Sequence, residues 1–182
     1  VGDTQGWDGF LNDSIPSCIT KLNSGKLEFA SFDNRIKALD DIPSPYLTGI
    51  LDEFFDGKLA PMIQTNRGCP FSCTFCVDGS DDVNQVNQFT TKRVDDELNY
   101  ISNNIQKTTH SLLISDLNFG MYSKDIEICT SIQKIQNKFG FPNYVKVTSG
   151  KNRPDKISLA IKKLGETTSM TLSVQSLNEQ VL

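Results

Sequence analysis

The chain has 182 residues, an apolar fraction of 37% and a net charge of −4 from 18 basic and 22 acidic side chains. That length suits one domain of ordinary size with its own core, and mild acidity without Lys/Arg clusters excludes an electrostatic footprint for nucleic acid. No apolar run approaches the ~20 residues that span a bilayer, and the opening VGDTQGWDGFLND is no signal peptide, so the sequence reads as soluble, cytoplasmic and without a membrane partner.

In chain order, SCITKL and KLEFA flank NSG and predict a β-hairpin, with Gly25 free to take a positive φ. Pro43 and Pro45 in DDIPSPYL break any helix and mark a linker, so a boundary is placed between residues 1–45 and 46–182. GILDEFFDG reads as a short helical turn and APMIQT as a strand running into a cysteine-rich loop. Val94, Leu98, Ile101 and Ile105 recur at helical spacing, which predicts a helix over Thr91 to Gln106. SLLIS reads as a buried strand. A second helix begins at Ser123, carries Ile128, Ile132, Ile135 and Phe139 on one face, and stops at Gly140. YVKVTS is a third strand. Pro154 suits the first turn of a third helix, with Ile157, Ile161 and Leu164 inward and Gly165 at its end. MTLSV is a fourth strand, and LNEQVL begins a further helix.

Strand–helix alternation with short links and nearly continuous apolar strands predicts an α/β fold, a parallel sheet covered by helices. Four such strands are too few to close a barrel of ~250 residues and eight strands, so the chain is expected to be part of a longer protein.

NRGCPFSCTFC holds three of the five cysteines, Cys69, Cys73 and Cys76, within eight residues. Structural zinc takes four ligands, usually as two pairs, and here no second pair exists and His110 is the sole histidine. Thiolates are the usual ligands of iron–sulfur clusters, and a cubane takes four, so three local cysteines leave one iron open. Cys129 beside Ile128 and Ile132 reads as core, and Cys18 as a packed hairpin residue.

The spacing C-x3-C-x-Φ-C, present as Cys69-Pro-Phe-Ser-Cys73-Thr-Phe75-Cys76, resembles the signature of the radical S-adenosylmethionine (radical SAM) enzymes. The wider string from PSPYL to RGCPFSCTFC resembles members that carry a cobalamin (B12)-binding domain ahead of the radical SAM domain. The resemblance implies a partial (β/α) barrel of parallel strands, preceded by a short hairpin and linker. Residues 1–45 would then be the tail of an upstream cobalamin-binding-type domain plus linker, and 46–182 the first part of the radical SAM core. It implies a 4Fe-4S cluster on Cys69, Cys73 and Cys76, with the amino and carboxylate groups of SAM on the fourth iron. One electron then cleaves SAM to methionine and a 5′-deoxyadenosyl radical, which acts on an unknown substrate, with methyl or methylthio transfer among the leading reactions.

Phe75 matches the aromatic position near the adenine. Where the family often has a Gly-Gly-Glu-like segment holding the SAM amine, this chain has SDLNFG, which makes Asp116 and Asn118 the candidates. Ser149 and Gln175, at the ends of the third and fourth strands, match positions that often contact the ribose or carboxylate of SAM. An electron donor such as flavodoxin or ferredoxin is the implied partner. The family's D-x-H-x-x-G cobalt-binding loop has no counterpart, since His110 lies in TTHSLL, so cobalamin is expected only in a full-length parent. The rival readings are a zinc-stabilised binding module without catalysis and a cluster-binding fragment too incomplete to turn over.

Overall fold

The computed structural model describes residues 17–22, 24–31, 35–81, 83–173, 176, 178 and 180. They form two units, divided between Lys37 and Ala38. In the first, β1 (Ile19–Lys21) and β2 (Leu27–Phe29) pair antiparallel with Ile19 opposite Phe29. Gly25 closes their turn at φ 82° and donates to the Leu22 carbonyl at 2.8 Å, as the NSG signal predicts.

The rest of the structure belongs to the second unit, the stretch with Pro43 and Pro45 included. That stretch runs along the helix α1 (Thr91–Asn104). Asp40 Oδ1 accepts from the Thr90 N–H at 2.9 Å, Arg93 donates to the Ile42 carbonyl at 3.0 Å, and Ser44 Oγ donates to Glu97 at 2.6 Å. Glu97 also pairs with Arg93 at 2.8 Å, so a buried carboxylate has two partners. Tyr46 then hydrogen-bonds both backbone groups of Met62.

The main sheet has four parallel strands in the order β3 (Met62–Ile63), β6 (Ser111–Phe119), β7 (Tyr144–Ser149), β8 (Thr168–Thr171). Strands adjacent in space therefore follow chain order with no reversal, the winding of a (β/α) barrel rather than of a doubly wound sheet. The fold is a partial barrel of this kind. A separate two-residue ladder pairs β4 (Asn66–Arg67) with β5 (Asn87–Gln88).

Each helix follows from its ends and its stripe. Thr90 caps α1 by accepting from the Arg93 N–H, and Val94, Leu98 and Ile101 are buried. The helix stops at Asn104, two residues short of the predicted end, with Ile105 extended. In α2 (Ser123–Phe139), Asp125 reaches back to the Tyr122 N–H, and Gly140 ends the helix in the left-handed region. In α3 (Pro154–Leu164) the buried positions are Ala160 and Leu164, whereas Ile161, predicted to face inward, is 41% exposed. Ile157, Ala160 and Leu164 form the stripe at three and four residues, and Ile161 stands about a hundred degrees from Ala160.

The strands alternate rather than being apolar throughout. Val145, Val147 and Ser149 of β7 are buried while Tyr144, Lys146 and Thr148 are exposed. One face packs on Ile128, Ile132 and Leu98 of the helices, and on the other Met62, Leu117 and Thr148 are exposed. The fourth strand begins at Thr168, earlier than MTLSV predicts, and Val174, with most of LNEQVL, lies outside the described residues.

Candidate cofactor site

The cysteine loop runs from Gly68 to Val86 between β4 and β5, whose pairing ties its two ends together. Beneath that tie lies Asp116 of β6, only 2% exposed. Asp116 accepts from the Thr65 N–H at 2.8 Å, the Asn66 N–H at 3.3 Å, the Asn66 amide at 2.8 Å and the Thr65 hydroxyl. Burial raises its carboxyl above the usual range, and the Thr65 and Asn66 hydrogen bonds oppose that rise. Between Ile114 and Phe119 of β6 the partner strand β7 advances only from Val147 to Ser149. Within this register shift Asp116 and Asn118 both hydrogen-bond to the segment that enters the loop.

Inside the loop, Gly68 has φ 107°, and a Cβ there would lie 2.1 Å from the Gln85 carbonyl oxygen. The Cys76 N–H donates to the Cys73 carbonyl at 3.0 Å and the Gly79 N–H to the Cys76 carbonyl at 3.1 Å, so two cysteines share one tight turn. Gly79 is needed there, since a Cβ would meet the Cys73 carbonyl at 2.5 Å.

The loop walls a cavity of about 190 Å³. Cys69, Phe71, Cys73, Phe75, Cys76 and Asp78 line it from the loop, and Leu117, Asn118, Thr148, Ser149, Lys151 and Ser173 from the carboxyl ends of the strands. Asn118 donates from Nδ2 to Cys69 Sγ at 3.3 Å. Ser149 donates to the Thr171 carbonyl at 3.3 Å and keeps its lone pairs. Phe75 is 75% exposed. All three thiols are free. Among the described residues no three His, Cys, Asp or Glu side chains already converge as a metal-binding group, so the sulfurs share a cavity without meeting at one point. As a donor set, three soft thiols without histidine suit an iron–sulfur cluster.

Of the residues named from sequence, the three cysteines, Phe75, Asn118 and Ser149 surround this one cavity. Asp116 is not among its lining residues and bonds instead to the strand that enters the loop. Gln175 lies outside the described residues. Lys151, Thr148 and Ser173 were not anticipated; their positions just at or beyond β7 and β8 are the signal that could have found them. Cys129 is fully buried and its thiol is pushed up to about 12 by burial, as a core residue should be. Cys18 is exposed rather than packed. His110 pairs with Asn143 at 2.9 Å just before β6 begins, the opposite end of the strand from the cavity. Among the described residues no helix is long and apolar enough to cross a membrane.

No family model matches the chain. It is 32% identical over 161 residues to the cobalamin-dependent radical SAM methyltransferase TokK of Streptomyces tokunonensis, which covers 81% of this chain and 23% of that protein. This chain belongs to the cobalamin-associated radical SAM family. It is also 30% identical over 151 residues to the 2-(S-pantetheinyl)-carbapenam-3-carboxylate methyltransferase of Streptantibioticus cattleyicolor, covering 78% of this chain and 22% of that enzyme. The radical SAM chain described here thus spans under a quarter of the length of these curated relatives. The structure of the cobalamin-dependent radical SAM enzyme OxsB, with aqua-cobalamin and S-adenosylmethionine bound, superposes with a TM-score of 0.59 at 17% identity, over 90% of this chain and 24% of that one. That likeness is one of fold. These likenesses support an enzyme at the level of the family.

Proposed function

We propose that Cys69, Cys73 and Cys76 hold a 4Fe-4S cluster whose remaining iron binds SAM, and that the parent enzyme uses it for methyl or methylthio transfer. When bound, the cluster supplies the electron that cleaves the sulfonium of SAM to methionine and a 5′-deoxyadenosyl radical. The observation that carries this reading is the shared cavity, whose lining holds the three thiols, Phe75, Asn118 and Ser149 beside the carboxyl ends of parallel strands. Phe75 offers a flat apolar face to the adenine, Ser149 accepts from a ribose hydroxyl, and Lys151 supplies a cation for the carboxylate. Methyl transfer is favoured because both curated relatives are methyltransferases by name.

Cobalamin would be held by a longer parent, with residues 1–45 as the tail of that domain plus linker, since the one histidine, His110, lies in TTHSLL rather than in a D-x-H-x-x-G loop and pairs with Asn143. Three free thiols on one loop suit a reducing compartment such as the cytoplasm, with a flavodoxin or ferredoxin as electron donor.

Anaerobic reconstitution with iron and sulfide tests the reading. The expected result is about four irons per chain, lost on changing any of the three cysteines to alanine, with an electron paramagnetic resonance signal that changes on adding SAM. Tight stoichiometric zinc without cluster formation would refute it.

A further inference from the structure

Two ties run from the end of β6 to the segment that enters the cysteine loop. Asp116 holds Thr65 and Asn66, and two residues further along Asn118 reaches Cys69 Sγ at 3.3 Å. Both ends of the second tie are fixed. Asn118 is 5% exposed, its strand continues into the fully buried Phe119, and the Gly150 N–H donates to the Phe119 carbonyl at 3.2 Å. Gly150 leaves room for the Met121 side chain, which a Cβ there would meet at 2.1 Å. The loop end is held by the β4–β5 ladder and by Asp116. Cys76, at the other end of the motif, has a carboxylate as neighbour, with Asp78 Oδ2 at 4.0 Å.

We propose that Asn118 is a positioning residue that donates its side-chain amide to the Cys69 sulfur and thereby raises the reduction potential of the group this sulfur ligates. A metal-bound thiolate has lone pairs and no proton, so only the NH2 edge of the amide can face it. Reduction adds negative charge to the cluster and its sulfurs, and a hydrogen bond to a ligating sulfur stabilises that charge. The donor is nearly excluded from water, which preserves its effect. The carboxylate of Asp78 acts with the opposite sign on Cys76. The inference rests on the reading that Cys69 is a cluster ligand.

The test uses the whole 182-residue chain, reconstituted anaerobically, with potentials measured by dye-mediated titration with dithionite. Asn118→Leu and Asn118→Asp both remove the donor at similar volume. Each should make the cluster harder to reduce, by about tenfold in the oxidised-to-reduced ratio at fixed potential, or ~59 mV for one electron. Asp78→Asn removes the opposing charge and should shift the potential upward. General loosening of the loop would move all three variants in the same direction, and that outcome overturns the proposal. The unsubstituted protein gives a second measurement that does not depend on a variant folding. With ¹⁵N-asparagine incorporated, the reduced cluster should show a weak ¹⁵N hyperfine coupling in pulsed electron paramagnetic resonance, and its absence overturns the proposal. Failure of the wild-type chain to form a thiolate-bound cluster overturns the function reading as well. A normal cluster whose potential ignores Asn118 overturns only this inference.

Discussion

Asp116→Ala should be among the most destabilising single changes in the second unit. The substitution removes the acceptor for two backbone N–H groups, the Asn66 amide and the Thr65 hydroxyl, at residues only 1% and 3% exposed. A buried donor left without a partner costs about 1–3 kcal/mol, so the two orphaned backbone groups alone set a loss of about 4 kcal/mol. Asp116→Asn should cost roughly 1–2 kcal/mol. Its amide oxygen can still serve Thr65 and Asn66 N–H, while its NH2 group opposes the Asn66 amide. Urea unfolding followed by circular dichroism is the assay, because α1, α2 and α3 all lie in the second unit. With a slope of about 2 kcal/mol per molar urea, the alanine midpoint should fall by about 2 M. Iron loading should fall with it, since the clamp sets where the cysteine loop begins. A loss below about 1 kcal/mol for Asp116→Ala, or equal losses for both variants, would refute the reasoning.

Gly68→Ala should prevent stable cluster formation while leaving the helical signal largely in place. The new Cβ would stand 2.1 Å from the Gln85 carbonyl at a backbone φ of 107°, so the base of the loop must open; the check is iron per chain, and normal loading would count against the described loop closure. Asp125 governs a pH dependence. Burial first, with Asp116 nearby adding to it, pushes its carboxyl from 3.8 up to about 6, against the hydrogen bonds from Tyr122 and Gly120. Between these values the folded state holds a proton that the unfolded state has lost, so stability falls as pH rises through the window and levels off above it. Two pKa units correspond to roughly 3 kcal/mol. Asp125→Asn keeps an oxygen for the Gly120 and Tyr122 N–H groups and should flatten the slope, and an unchanged slope in urea midpoints between pH ~4 and ~6 would exclude Asp125 as its source.

Much of the frame is local, and was therefore legible from residues alone. Gly140 and Gly165 end their helices, Pro154 opens α3, and the stripes of α1 and α2 bury as their spacing predicts. Each of these signals acts within a turn or two of the chain, so a short window contains both cause and effect. The three cysteines belong to the same class, since their spacing names a thiolate-held group without reference to the rest of the molecule. The exposure of Ile161 and the burial of alternate residues along β7 depend on which face of each element packs against the core, and a short window of sequence does not contain that.

The surroundings of the cysteines are also tertiary. Asp116 stands 51 residues from Thr65, and Asn118 49 residues from Cys69. Asn66–Arg67 finds Asn87–Gln88 only once the loop has closed. From sequence, Asp116 and Asn118 form one candidate pair in SDLNFG. In the fold they separate, Asp116 to the strand entering the loop and Asn118 to a sulfur within it. A side chain's type fixes whether it can donate or accept, but the path of the chain decides what stands opposite it.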